Sequence, residues 1–394
     1  MNFIFISPHF PANYWNFCVQ LKLNGVNVLG IGDAPYDSLV LGLKNALTEY
    51  YRVDNMEDYD QMLRAVAYFT FKYGKIDWLE SNNEYWLDQD ARLREDFNIG
   101  NGFRPHEIAR IKSKYRMKET YKKAGIPAPD CIYADDWEAA KKFAAVHGYP
   151  LILKPDSGVG AQNTYTIGRE EDLEEFFEQQ HSRMFVLEEF VEGEICSYDA
   201  IIDSKGEPIF ESGNITPVSI MDIVNNQDSA YFYIVKSLAE DVREAGRRCA
   251  KAFDVRSRFV HFEFFRLKRD YENLGAAGTI VGLEVNMRPS GGFTPDMLNY
   301  ANSVNVFKIW ADMVAFDSSS VDQNQEHFFC AYVGRRSSRE YQHSHVELLS
   351  KYRANITMSD RMPDVLASAM GDQMYLAKFQ EEQVMKEFFD YVLS

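Results

Sequence analysis

The chain has 394 residues, 46% hydrophobic and 26% charged, the composition of a soluble globular protein with material for roughly two or three domains. Its 42 Lys and Arg against 59 Asp and Glu give a net charge of −17. That balance excludes general duplex nucleic-acid binding, where neutralising phosphates dominates affinity, but leaves room for a small phosphorylated ligand in a local basic pocket.

No apolar run approaches the roughly 18 residues of a membrane span, and the N-terminus MNFIFISPHFP reads as a first strand rather than a signal peptide. Five scattered cysteines, with no CxxC or Cys/His zinc spacing, fit a reducing cytoplasm. NFIFIS is an apolar, β-prone run, YWNFCVQLKLNG a helix closed by Gly25, and VNVLGIG the next strand. EYYRV, a helix near 57–73 and KIDWLES continue the alternation, which predicts a parallel sheet with helices on both faces. Residues 103–123 carry eight Lys or Arg against Glu107 and Glu119. A helix starting near Ser113, a good N-cap, and stopping at AGIPAP is expected there; on charge alone it reads as a solvated basic face. Residues 135–147 form another helix, YPLILK a buried strand and residues 170–180 an acidic helix. MFVLEEF and ICSYDAIID read as strands joined by VEGE, DSKGEP as a hairpin turn, and 236–253 as a helix. Near the end come a strand, FFCAYVGRR, and an amphipathic helix, EEQVMKEFFDYVL.

The stretch LILKPDSGVGAQNTY (151–165) suggests phosphate. A P-loop lysine follows its glycines at a helix start. Here Lys154 precedes Gly158 and Gly160 at a strand end, and VGAQNTYTI reads as a second strand, so the glycines cap a hairpin. Such a loop either folds over polyphosphate, with Lys154 as a point charge, or is a plain glycine hairpin.

RFVHFEFFRL (258–267) alternates, with Val260, Phe262 and Phe264 on one face and His261 and Glu263 on the other. In TIVGLEVNMRPSGG, Val281, Leu283, Val285 and Met287 are expected on one face and Glu284, Asn286 and Arg288 on the other. If the two strands pair, Glu263 and Glu284 approach. Two carboxylates and an amide oxygen are hard ligands suited to magnesium completed by phosphates, and burying them together without a cation is costly. The competing reading is a solvated sheet face with Glu–Arg pairs. His261 is assigned no chemistry.

Five segments then stand in a fixed order: SKYRMKETYKKAGIPAPD (113–130), YPLILKPDSGVGA (149–161), VLEEFVEGEICSYDA (186–200), FVHFEFF (259–265) and LEVNMRPSGG (283–292). The set resembles the ATP-grasp superfamily, especially its carboxylate–amine ligases, with biotin carboxylase and carbamoyl-phosphate synthetase among the relatives. The resemblance covers roughly residues 1–315. It implies an α/β and α+β chain in which an N-terminal parallel β/α domain (1–102) precedes a two-lobed ATP-grasp fold. The central lobe would be 103–183, with a lid loop at 157–163, and the C-terminal lobe 184–394, with an extension at 325–394.

The resemblance also implies roles. Lys114 and Lys154 contact nucleotide phosphates, Lys154 and Arg288 serve the transfer itself, and Ser157, Gly158 and Gly160 belong to the lid. Glu188 is the hinge acid near the adenine amino group, Glu189, Phe190 and Val191 supply hinge backbone, and Glu194 faces the ribose. Glu263, Glu284 and Asn286 match the ligands of Mg2+ or Mn2+. Two departures stand out: Ser113 replaces an Asp common among relatives, and the lid reads GVGAQNT. The implied activity is an ATP-dependent ligase that activates a carboxylate as an acyl phosphate and joins it to an amine, in the cytoplasm, with neither nucleic acid nor membrane as partner and a homodimer by family habit. The alternatives are a phosphotransferase or kinase, a bicarbonate-activating carboxylase, or a non-catalytic nucleotide-binding module. SPHFP (7–11), NNEYW (82–86) and residues 214–228 are candidates for substrate selection, although His9 and Asn82 read equally well as ordinary loop residues.

Overall fold

The computed structural model describes residues 1–158, 163–179, 181, 183–217 and 229–394. Three sheets organise them. The first is a parallel sheet of β1 (Asn2–Ile6), β2 (Asn27–Gly32), β3 (Glu49–Arg52) and β4 (Trp78–Glu80), in the order β3-β2-β1-β4. Both faces of β1 are buried, as its unbroken apolar run demands. Phe3 and Phe5 face one cluster, and Ile4 and Ile6 another.

The second sheet is antiparallel and small: β5 (Cys131–Tyr133), β6 (Leu151–Pro155), β7 (Tyr165–Ile167) and β8 (Phe185–Glu189), in the order β5-β8-β6-β7. The third has nine strands: β9 (Gly193–Ile202), β10 (Pro208–Ser212), β11 (Asn214–Thr216), β12 (Tyr231–Ile234), β13 (Arg258–Leu267), β14 (Ile280–Asn286), β15 (Phe329–Arg335), β16 (Ile356–Arg361) and β17 (Gln373–Phe379). Its order is β14-β13-β9-β11-β12-β15-β17-β16, with β10 also paired to β9. β8 and β9 are therefore consecutive in the chain but lie in different sheets, joined by residues 190–192.

One core joins the parallel sheet to the large one. Trp310, fully buried on the helix Val306–Phe316, meets the rings of Phe3, Phe5 and Phe17, and the same cluster holds Ile201 and Phe259 from β9 and β13. The helix Lys114–Lys123 is capped by Ser113, as expected, whose side chain accepts from the Arg116 N–H. It packs on the large sheet, with Met117 and Tyr121 among Tyr198, Phe262, Phe264 and Val285. A short helix, Pro105–Lys112, precedes it and is not marked by the sequence pattern. The solvated-face reading of this basic stretch fails, because Lys114 and Lys118 are buried.

β14 departs from simple alternation. β13 pairs Glu263 with Glu284 but Phe264 with Gly282, so Leu283 is bulged out of register. The expected common face of Val281, Leu283, Val285 and Met287 is therefore split. Val285 and Met287 join the core beneath the sheet, while Val281 lies in a separate cluster with Val191, Leu267 and Leu274. Gly282 takes the core-facing place beside the Tyr121 ring, which a Cβ there would approach to 2.5 Å.

Residues 325–394 complete the large sheet, with β15 inserted between β12 and β17. The final helix, Glu382–Leu393, covers it through Met385, Phe388 and Val392. Among the described residues no helix is long and apolar enough to cross a membrane.

Candidate active site

The site candidates gather where the small sheet, the large sheet and the N-terminus of the helix Lys114–Lys123 meet. Lys154 is the next-to-last residue of β6, which pairs antiparallel with β8 in a register that sets Lys154 opposite Val186 and Ile152 opposite Glu188. Lys154 and Glu188 are thus diagonal neighbours on one sheet face. Lys154 Nζ lies 2.8 Å from Glu188 Oε2, and Lys118 Nζ lies 3.2 Å from Glu188 Oε1. The second contact is ionic without hydrogen-bond alignment, since Glu188 Oε1 has no hydrogen-bond partner among the described residues. Lys118 also donates to the carbonyl oxygen of the bulged Leu283, at 3.1 Å.

All three side chains are buried. Burial pushes the Glu188 carboxyl up, but Lys118 and Lys154 outweigh it and hold it below its ordinary value. Burial lowers Lys118 more than Glu188 raises it, and Lys154 is raised because Glu188 outweighs burial. The Glu188 carboxylate is thus engaged by lysines. Lys118 carried no signal of its own beyond its place one helical turn from Lys114 on the same face.

Lys114 bridges toward the metal candidates. Its Nζ lies 3.1 Å from the Gly158 carbonyl oxygen and 3.5 Å from Glu284 Oε1. Asp156 fastens the start of the 157–163 loop to the helix N-terminus, where anions are favoured. Its Oδ1 accepts from Ser113 Oγ at 2.9 Å and from the Tyr115 N–H at 3.0 Å. Ser157 and Gly158 are exposed, and Gly158, at φ 146, uses backbone space that favours glycine. Gly160 and the centre of the loop lie outside the described residues.

Glu263 and Glu284 face each other across β13 and β14. Behind Glu263 runs a buried relay. His261 Nε2 lies 3.1 Å from Glu263 Oε1, and His261 Nδ1 lies 2.8 Å from Asp199 Oδ1. Asp199 Oδ2 accepts from Ser197 Oγ at 2.5 Å. Burial alone would lower His261, but Asp199 and Glu263 push it up to about 10. Burial raises Glu263, and His261, Arg288 and Lys114 more than offset this. Asn286 Oδ1 accepts from Arg288 Nη2 at 3.2 Å, and Arg288 Nη1 donates to the Pro289 carbonyl at 2.6 Å. Two carboxylates and one amide oxygen on a single sheet face, balanced by neighbouring cations, form a donor set that fits a hard divalent ion.

The remaining candidates sit apart from this cluster. Glu189 points the other way. Its Oε1 accepts from the Asp130 N–H at 2.8 Å and from Asn273 Nδ2 at 2.7 Å, and its Oε2 lies 3.4 Å from His147 Nδ1. Phe190 is half-buried, Val191 packs in the cluster with Val281, and Glu194 is half-buried opposite Arg266.

Residues 111–241 match the ATP-grasp domain family, and the chain carries an ATP-grasp domain there. More particular likenesses are to a carbamoyl phosphate synthase large chain, C-terminal section, from Methanopyrus kandleri and to an L-arginine-specific L-amino acid ligase from Bacillus subtilis. The first is 29% identical over 153 residues, 36% of this chain and 27% of that protein. The second is 24% identical over 268 residues, 66% of this chain and 62% of that protein. The chain thus matches less than two thirds of the length of either. In fold it resembles the crystal structure of an L-amino acid ligase from Bacillus licheniformis, with a TM-score of 0.71 and 15% identity over 99% of this chain and 97% of that one.

Proposed function

We propose that the protein is an ATP-dependent ligase that forms a C–N bond between a carboxylate and an amine. The observation that carries this reading is the bridge from Lys114 to Glu284, 3.5 Å, which sets a phosphate-binding lysine directly against a carboxylate pair. In this reading nucleotide lies between the small and large sheets, with Lys154 and Lys114 on its phosphates and Glu189, Phe190 and Val191 as hinge backbone. Glu263, Glu284 and Asn286 would hold Mg2+, which supplies charge neutralisation of the phosphates. Lys114, Lys154 and Arg288 offset the negative charge of the transferring phosphoryl group.

The substrate carboxylate oxygen bonds the γ-phosphorus as ADP leaves, giving an acyl phosphate. The amine nitrogen then bonds the acyl carbon, the C–O bond breaks, and phosphate departs with a proton released. The 157–163 loop, fastened through Asp156, is the cover that keeps water from the acyl phosphate. The one-domain-plus-two-lobe division at 1–102, 103–183 and 184–394 belongs to the same proposal.

The test is ADP and phosphate release across a panel of carboxylic acids and amines, with mass spectrometry of the products. A stable phosphorylated product would favour a kinase, bicarbonate dependence a carboxylase, and AMP with pyrophosphate would overturn the acyl-phosphate step.

A further inference from the structure

We propose that His261 is a positioning residue that sets which ion the site prefers: it takes up Oε1 of Glu263, leaves Oε2 as the oxygen offered to a metal, and so favours Mg2+ over Ca2+. The assignment rests on the metal ligands named in the reading above, Glu263, Glu284 and Asn286, and not on which bond the enzyme makes.

Two central strands of the large sheet build the device. β9 and β13 pair antiparallel in a register that sets Asp199 opposite His261 and Ser197 opposite Glu263. Residues two apart on a strand share a face. The four side chains therefore form one block on the face that carries Glu263, and β14 brings Glu284 up beside it.

Each contact fixes the next. The Asn214 N–H donates to Ser197 Oγ at 2.9 Å, which leaves the Ser197 hydroxyl hydrogen for Asp199 Oδ2 at 2.5 Å. Asp199 Oδ1 then lies 2.8 Å from His261 Nδ1, and the far nitrogen of the ring, Nε2, is held 3.1 Å from Glu263 Oε1. Carboxylate oxygens only accept, so the ring donates from both nitrogens. Ser197, Asp199 and His261 are 1%, 0% and 4% exposed. The ring cannot turn away without leaving buried polar atoms unpaired, so it stays where it is put.

The block is closed at the Asp199 end and open at the other. The Glu263 side chain is 31% exposed, and its Oε2 carries no hydrogen bond among the described residues. Ser197 and the ring already satisfy the Asp199 carboxylate. The contact from Nε2 to Glu263 adds little to that buried set, and its effect falls on the carboxylate beside Glu284, whose rotation it fixes.

That has a consequence for ion choice. Ca2+ takes about six to eight oxygens and accepts both oxygens of one carboxylate, whereas Mg2+ takes about six in a near-ideal octahedron and keeps several waters. A Glu263 with one oxygen engaged by a ring N–H offers the smaller and stiffer set. Groups that hold a ligating side chain in this way change metal affinity by about 10–100-fold when they are removed.

The experiment is calorimetric titration of wild type, His261→Asn and His261→Gln with MgADP, CaADP and ADP alone, beside thermal melts. The Asn variant keeps a donor near the place of Nδ1, toward Asp199, and loses the one toward Glu263. The Gln variant keeps a donor near the place of Nε2 and loses the other. In the Asn variant MgADP binding is expected to weaken about tenfold or more while CaADP binding holds or tightens, and in the Gln variant both stay within about threefold of wild type. An unchanged preference for Mg2+ in the Asn variant overturns the proposal. A Gln variant that behaves as the Asn variant overturns it too, because the donor at Nε2 then decides nothing. Equal weakening of MgADP and CaADP in step with a falling thermal midpoint makes His261 structural. Loss of both metal effects in both variants at an unchanged midpoint makes His261 a ligand instead. Wild type that binds ADP equally with and without Mg2+ removes the metal set and this proposal with it, while the product assay for the C–N bond keeps its own answer. If neither His261 variant folds, Ser197→Ala decides: a smaller shift of the same sign supports the relay, and no shift overturns it.

Discussion

Lys154 and Glu188 are joined by a 2.8 Å ion pair buried between the sheets, so the lysine read as a phosphate ligand already has an anion. Under the ligase proposal, a nucleotide phosphate on Lys154 would have to compete with that carboxylate, and Lys118, 3.2 Å from Glu188, would leave Glu188 with a cation.

Lys118→Met should therefore act twice. Removing one partner of a buried ion pair destabilises by about 3 kcal/mol, and Glu188, left with Lys154 alone, should hold it more tightly. Thermal melts should show the first effect, and calorimetric titration with ADP should show weaker binding. Lys118→Arg should restore part of both. Glu188→Gln alone leaves both buried lysines without this carboxylate and should destabilise more than Lys118→Met, and a Glu188→Gln variant as stable as wild type would refute the coupling.

Glu284 faces both Glu263 and Lys114. Glu284→Gln should lower ADP formation at least about a hundredfold if the carboxylate holds the metal, with an unchanged circular dichroism spectrum. Full activity in that variant would sink the metal assignment.

Burial pushes the Glu84 carboxyl up to about 7 from an ordinary value of 4.5, against the opposing pull of Arg288 and Lys112. Between those values the folded chain keeps a proton that the unfolded chain releases. Stability should thus be full below about pH 4.5 and decline, by on the order of 1–3 kcal/mol, as pH rises through about 7. Asp90, raised by burial despite Arg94, adds a decline of the same sign. Glu84→Gln should flatten the curve without abolishing the decline, as measured by denaturant midpoints across that range. An equally steep profile in the variant would refute the assignment.

Gly282 sits where a Cβ would meet the Tyr121 ring at 2.5 Å, and the Tyr121 hydroxyl donates to the Glu284 carbonyl at 2.6 Å. Gly282→Ala should cost about 1–3 kcal/mol through overpacking and should also disturb the carboxylate pair. A melt and a titration with Mg2+ and ADP would separate the two effects.

The parts legible in the sequence are those with a period or a cap. The alternation of 1–100, the Ser113 cap and the polar strand faces that carry Glu263 and Glu284 follow from local pattern, whereas the pairing of those two strands is a contact between segments that no local pattern states. The bulge at Leu283 was not legible, because one extra residue leaves the composition of a strand unchanged while reversing every side chain beyond it. Lys118 was hidden for a related reason: charge says nothing about burial until the partner, here Glu188 from 70 residues away, is placed. Nor does the run from β8 to β9 reveal that its two strands belong to different sheets.

The placement of β15 between β12 and β17 has a consequence for biosynthesis. A chain emerging from the ribosome can pair β9 through β14 early, but β12 keeps a bare edge until residues 329–335 arrive. Even then β15 needs β17 from near the C-terminus to cover its other side. Unpaired edges invite aggregation, so a transcript truncated within the last seventy or so residues should yield not a trimmed enzyme but an insoluble one.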